Sequence, residues 1–393
     1  MDVLSNRPLR PLCSQRMKEI DDIIKAYESA SAQKTKTALA TVVHVEGSSY
    51  RRPGARMLVT ETGELTGAIS GGCLEGDALR KALLAIHEER NKLVTYDTNN
   101  EDDARFGVQL GCNGVIHILF EPVNPQAQHN PITLLKKAAT ERRYSVIVTL
   151  FSLLNKQNQP GTACLLNDSE FVINDSRQDE NLPLNLRNDA QTALSTQTSL
   201  VKDYSSDLIG FVEVVEPKIA LVIMGAGNDV IPLTQMADIL GWSTTLVDGR
   251  HTHANRQRFP NVHRICVAKP ESALDELTID NRTAFVLMTH NYNYDLEVLK
   301  QLAKINGAYI GILGPKKKYL RMIEDLADSG FELPQSMREN IYSPVGLDIG
   351  AETAEEIALS VVSEIKAVFS FRNPHFLRDK EESIHARSKK LPA

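Results

Sequence analysis

The segment IALVIMGAGNDVIPLTQMADILGWSTTLVDGR, residues 219–250, decides the fold of the C-terminal half. Ile219 to Met224 is a nearly unbroken apolar run of strand length. Gly225-Ala226-Gly227 follows, then apolar positions at helical spacing from Asp229 to Leu240, and a second strand from Ser243 to Val247 that ends at Asp248. A strand, a glycine turn, a helix and a second strand closed by an acid form the opening of a Rossmann unit. The same segment weakens the usual ligand. Val230 stands where a third glycine would fall, and Asp229 puts a carboxylate in the first turn of the helix whose N-terminus would receive a diphosphate. Two unit charges about 5 Å apart at an effective dielectric near 20 repel by roughly 3 kcal/mol. The helix dipole returns only about 0.3–1 kcal/mol to the aspartate.

Beyond residue 250, strands at Arg264–Val267, Phe285–Thr289 and Tyr309–Leu313 alternate with helices at Asp295–Ile305, Lys316–Ala327 and Ala354–Phe369. This rhythm predicts a doubly wound parallel sheet. His290 falls at the carboxyl edge of that sheet, with Asp295 five residues on as a partner to orient it. Asp248 suits ribose hydroxyls, or is an ordinary acidic strand end beside Arg250. Gly311, Gly314 and Lys318 offer an anion site at the same edge, His251 and His253 read as a solvated loop, and Thr353 with Glu356 reads as a capping box.

The N-terminal half has another texture. A helix with Met17, Ile20, Ile23, Ile24 and Tyr27 on one face opens it, and a strand from Ala38 to Val45 runs into a loop carrying Arg51, Arg52 and Arg56. A hairpin about Glu61-Thr62-Gly63 ends at Gly71-Gly72-Cys73, a helix spans Leu74 to Arg90, and Gly111-Cys112-Asn113-Gly114 precedes a strand from Val115 to Phe120. The arginines present forked donors to a phosphate or carboxylate, or else line a solvated loop. Cys73 and Cys112, on two similar glycine turns, are soft metal or sulfur ligands once deprotonated, or else small buried hydrophobes. Further on, a helix near Ile132–Glu141 and strands near Tyr144–Phe151, Ala163–Leu166 and Phe171–Asn174 precede a polar stretch, Asp175 to Asp207. That stretch predicts a mobile surface connection without large apolar faces. Boundaries follow at 1–217, 218–371 and a basic tail, 372–393.

At 393 residues, with 42% hydrophobic and 24% charged side chains, the chain is globular and long enough for two or three domains. A formal charge of −6 argues against a dedicated nucleic-acid binder. Five scattered cysteines do not make a disulfide framework, and no apolar window reaches membrane-spanning length, so a cytoplasmic protein is expected.

GSSYRRPGARMLV (Gly47 to Val59), GAISGGCLEGDA (Gly67 to Ala78) and the Gly111-Cys112 turn resemble the N-terminal domain of the XdhC/CoxI family. IMGAGNDVIPL, GWSTTLVDGR, THNYNYD, YIGILGPKKK and the stretch from Ser343 to Ile365 resemble that family's Rossmann domain. The departures are Tyr292 and Asn293 after His290, where a second histidine is frequent, and Pro315 where a small hydroxyl residue is usual. The resemblance implies an N-terminal α+β domain followed by a Rossmann-like one, in a xanthine dehydrogenase maturation factor that is a chaperone rather than a catalyst. Such a factor binds molybdenum cofactor, supports its sulfuration with a cysteine desulfurase as partner, and inserts it into a xanthine dehydrogenase-type molybdoenzyme. Homodimers are common in such factors. In that reading Cys73 and Cys112 meet the metal or its sulfur, Arg51, Arg52 and Arg56 hold the phosphate, and Gly72 gives the ligand room. The alternative is an NAD(P)-dependent oxidoreductase using Gly225, Gly227 and Asp248, with His290 as acid or base.

Overall fold

A computed structural model describes residues 8–9, 16–47, 49–72, 74–97, 114–156, 158–177, 182–305 and 309–381. Cys13, Cys73 and Cys112 lie outside the described residues. The chain divides into two compact units between Pro217 and Lys218.

The first unit runs β1 (Pro8–Leu9), α1 (Arg16–Ala32), β2 (Thr37–Gly47), β3 (Arg56–Thr60), β4 (Leu65–Gly67), α2 (Glu75–Glu88), β5 (Lys92–Asp97) and β6 (Gly114–Pro122). It continues with α3 (Pro131–Thr140), β7 (Ser145–Phe151), β8 (Gly161–Leu166), β9 (Phe171–Ile173), α4 (Leu186–Thr196), β10 (Ser199–Ser205) and β11 (Leu208–Val215). Two antiparallel sheets result, ordered β4-β3-β2-β6-β5 and β1-β10-β11-β7-β8-β9. One face of the first sheet is covered by Ala78, Ala82, Ala85 and Ile86 of α2. Its other face meets the second sheet through Val43, Leu119, Phe151, Ile209 and Phe211. The apolar stripe read in the opening helix is buried, with Met17, Ile20, Ile23 and Ile24 packed beside Ile132, Leu134 and Leu135 of α3.

The polar stretch is not a loose connection. Within residues 175–207 the chain forms α4 and β10, and Leu186, Ala190 and Ala193 pack with Val148, Ala163 and Val212. A helix that buries one leucine and two alanines leaves little apolar signal, so its Asn, Gln, Asp and Thr content dominated the reading.

The second unit runs β12 (Ala220–Met224), α5 (Val230–Ile239), β13 (Ser243–Asp248), β14 (Arg264–Val267), β15 (Thr283–Leu287), α6 (Tyr292–Leu302) and β16 (Tyr309–Ile312). It ends with α7 (Lys316–Asp328), α8 (Gln335–Arg338), β17 (Ile341–Tyr342) and α9 (Ala354–Phe369). All its strands are parallel, in the order β14-β13-β12-β15-β16-β17. Numbered within the unit this is 3-2-1-4-5-6, the doubly wound order whose ligand crevice opens between the first and fourth strands. Helices α5 and α9 cover one face through Val230, Leu233, Val361 and Ile365. Helices α6 and α7 cover the other through Val298, Leu299, Met322 and Leu326. Thr353 and Glu356 cap α9 reciprocally, as their spacing predicts. Among the described residues no helix is long and apolar enough to cross a membrane.

Candidate functional site

In the first unit Arg51 and Arg52 lie on the loop after β2 and Gly72 on the turn between β4 and α2, while Cys73 and Cys112 lie outside the described residues. The Tyr50 ring lies against Gly71, 3.4 Å from where a Cβ would stand, so the arginine loop and the glycine turn touch. Ser70 braces the turn. Its hydroxyl donates to Glu75 Oε2 at 2.5 Å and accepts from the Gly72 and Leu74 amides at 3.2 and 3.1 Å. Gly72 takes φ +105° with nothing within 4 Å of a would-be Cβ. The amides on either side of position 73 are thereby fixed while the surface above Gly72 stays open. Gly114, two residues beyond Cys112 in sequence, pairs with Gly47 at the end of β2.

The three arginines part company. Arg51 Nη2 donates to Glu19 Oε2 of α1 at 2.7 Å, while its Nε is buried without a partner among the described residues, as is Ser49 Oγ. Arg52 is half-buried. Arg56 corrects the expectation that all three face a ligand. It is 2% exposed, donates from Nη1 to Gly54 O at 2.9 Å, and is held by Glu213 through both terminal nitrogens. A guanidinium so enclosed braces β3 against β11. Buried polar atoms left unpaired cost about 1–3 kcal/mol each. Ser49 Oγ and Arg51 Nε therefore suit an incoming group rich in acceptors, and phosphate oxygens fit that donor set.

Composition and spacing gave no reason to single out a histidine pair on the same strands. The rings of His44 and His117 stack with centroids 5.5 Å apart. His117 Nε2 lies 3.1 Å from Glu46 Oε1 and its Nδ1 lies 3.0 Å from Thr95 Oγ1, whereas His44 Nε2 is buried without a hydrogen bond. Burial pushes both imidazoles below the usual histidine pKa. The neighbouring His117 adds to this at His44, and Glu46 opposes it at both. With folded pKa values below the unfolded ones, the unfolded chain binds more protons in the window between them. The contribution of this pair to stability is therefore level above about pH 6.5 and falls as the pH drops below it. The thermal midpoint is expected to fall between pH 7.5 and 5.5, and to fall less in His44→Phe. Equal slopes in both proteins would remove the assignment.

In the second unit a cleft of about 360 Å³ opens at the carboxyl ends of β12, β13 and β15. Gly225, at φ +123°, is fixed by close approach. A Cβ there would stand 2.7 Å from the Met288 carbonyl carbon and 2.9 Å from Thr289 Cα. The Asp229 carboxylate bends back over Gly227, where a Cβ would overlap its Oδ1, and its Oδ2 lies 2.8 Å from His290 Nε2. His290 is largely exposed and sits at φ +56°. The expected partner Asp295 is elsewhere: fully buried, it accepts from Lys318 Nζ and Thr289 Oγ1, both at 2.7 Å. Lys318, expected to hold an external anion, is occupied by that carboxylate and by Leu313 O.

Asp248 is equally committed. It accepts from the Ala226 amide at 2.8 Å and from Arg250 through the amide, Nε and Nη2 at 2.8, 2.9 and 2.7 Å. Burial alone would raise its pKa. The hydrogen bonds from Arg250 and the Ala226 amide outweigh that and hold the carboxyl below its ordinary range. Four donors fill the acceptor sites that a ribose diol would use. One cleft residue is new and one is reassigned. Arg258 reaches back from the loop after β13 to Ala226 O and Asn228 Oδ1, both at 2.7 Å, and His253 lines the cleft instead of being merely solvated. Among the described residues no group of three or more His, Cys, Asp or Glu is placed to hold a metal ion.

Against known proteins, residues 221–365 match the model of the XdhC Rossmann domain and residues 30–97 that of the XdhC and CoxI family. A probable xanthine dehydrogenase subunit of Bacillus subtilis (strain 168) is 32% identical over 328 residues, 83% of this chain and 91% of that protein. The molybdenum cofactor insertion chaperone PaoD of Escherichia coli (strain K12) is 25% identical over 334 residues, 84% and 82% of the two chains. A crystal structure described as a xanthine dehydrogenase from Bacillus halodurans superposes with a TM-score of 0.69 at 29% identity, covering 90% of this chain and 97% of that one.

Proposed function

The chain belongs to the XdhC and CoxI family, and on that premise we propose that it is an accessory factor that binds molybdenum cofactor and inserts it into a xanthine dehydrogenase-type molybdoenzyme. In this reading it keeps the cofactor intact while sulfur is installed by a partner cysteine desulfurase, and it works in the cytoplasm as a homodimer. One structural observation supports the cofactor site: two buried donors without partners among the described residues, Ser49 Oγ and Arg51 Nε, on the loop whose Tyr50 packs against Gly71.

When bound, the cofactor supplies a soft molybdenum centre and a phosphate-bearing pterin. Arg51 and Ser49 hold the phosphate, with Arg52 beside them. Glu19 fixes the arm of Arg51 and also accepts from the Arg56 amide at 3.2 Å, so one α1 carboxylate sets the loop. Gly72 leaves room for a bulky ligand to approach the backbone. Cys73 and Cys112 meet the metal or sulfur end as thiolates. Against the oxidoreductase reading stand Asp229, lodged where Gly225 and Gly227 would present amides to a diphosphate, and Asp248, whose acceptor sites are filled.

Molybdenum and pterin analysis of the protein purified from a molybdenum-replete host tests the reading. Both are expected in near-equal amounts with the chain. Protein free of both, while still co-purifying with its client dehydrogenase, would make it a docking factor instead.

A further inference from the structure

Charge is unevenly spent in the crevice of the second unit. Arg250 is paired with Asp248 and His290 lies against Asp229, but Arg258 has only neutral acceptors: Ala226 O, His253 O at 2.9 Å and Asn228 Oδ1. Its guanidinium is further seated on the Phe259 ring, 5.2 Å from the centroid. No carboxylate pairs with it among the described residues. These contacts hold the cation still without neutralising it, which is how a protein prepares a site for an anion.

The donors left over have a definite number. A guanidinium carries five N–H groups. Arg258 spends three in the bonds just named, and Arg250 spends Nε and one Nη2 hydrogen on Asp248. Five N–H donors on two forks remain around the cleft, with the His253 and His290 rings at its wall. Such a set matches a tetrahedral dianion with three terminal oxygens better than a planar carboxylate or the singly charged phosphates of a diphosphate bridge. At about 360 Å³ the cleft lies near the small end of the roughly 300–1,000 Å³ range for small-molecule sites.

We propose that the crevice binds a phosphate monoester, held by Arg258 and Arg250, and that Asp229 is its gate. The carboxylate over Gly227 repels an incoming phosphate and closes the glycine-loop amides to a dinucleotide. His290, in a left-handed backbone conformation that non-glycine residues adopt at a cost, stands within hydrogen-bond reach of the gate from the opposite loop. The site is separate from the one proposed in the first unit and does not depend on it.

Calorimetric titration of the full chain with adenosine monophosphate, ribose 5-phosphate, inorganic phosphate and NADH tests this. Both monoesters are expected to bind saturably and to be displaced by inorganic phosphate, with NADH at least tenfold weaker. Arg258→Ala is expected to weaken monoester binding at least tenfold. Because that variant also loses anchors of its loop, the deciding variant is Asp229→Asn, expected to tighten monoester binding about tenfold, a gain that structural damage does not produce. Absence of saturable monoester binding in both the wild type and Asp229→Asn overturns the proposal. So does NADH binding as tightly as the monoesters, or Asp229→Asn weakening them.

Discussion

Replacing Cys73 and Cys112 together by alanine is expected to strip the purified protein of molybdenum, from near stoichiometric to background. The ordinary thiol pKa of about 8.5 leaves only a few per cent thiolate at neutral pH, so a cysteine ligand must be deprotonated by what it binds or by nearby cations. In the reading proposed above, the metal itself displaces the thiol protons, so its retention depends on both sulfurs. Alanine removes both thiols and leaves the backbone unchanged. Arg51→Ala serves as the contrast. It removes charge-assisted hydrogen bonds worth about 1.5–3 kcal/mol, and should weaken retention roughly tenfold or more without abolishing metal contact. Full molybdenum content in the double variant would dismiss the thiols as ligands, and the site would then have to be sought elsewhere on the first unit.

Glu213→Leu should cost the first unit about 3–5 kcal/mol, because Arg56 is left charged and unpaired in a site that is 2% exposed. That is a large share of the 5–15 kcal/mol by which domains are ordinarily stable. Arg56→Met with Glu213→Leu should recover most of the loss, since two apolar side chains of similar volume leave no buried charge. Urea unfolding followed by far-ultraviolet circular dichroism reads both units together, so a transition there that tryptophan fluorescence does not share belongs to the first unit. The single tryptophan, Trp242, is buried in the second unit and reports on it separately. If Glu213→Leu unfolds at the wild-type midpoint, the pair is not a brace. If the double variant is no better than the single one, the cost lies in packing rather than charge.

What the sequence discloses follows from how each element is buried. The central parallel strands β12, β15 and β16 are enclosed on both faces, so their residues are mostly apolar, and β12, β13 and the turn between them were legible down to Asp248. Strand β5 sits at a sheet edge with Leu93 as its one buried residue, and β17 has two residues, so neither left a pattern. At the candidate sites, residue type was informative but partnership was not. Arg51 and Arg56 are five positions apart and chemically identical, and what separates them is Glu213, 157 residues downstream. Likewise Asp295, five residues from His290, was the natural partner by spacing, whereas Asp229, 61 residues away, is the one the fold delivers. Proximity along the chain predicts helical and turn contacts; a sheet edge gathers residues from separate strands.

The distance in sequence between Arg56 and Glu213 also orders events during synthesis. Ribosomes add about 5–20 residues per second, so Glu213 is made about 8–30 s after Arg56. Until β11 emerges, the first residue of β3 lacks its counter-ion and the loop preceding it has no floor. A nascent chain therefore carries its arginines and first glycine turn long before it can seat a ligand between them. On the function proposed above, cargo is expected to be accepted only after the whole first unit has been translated.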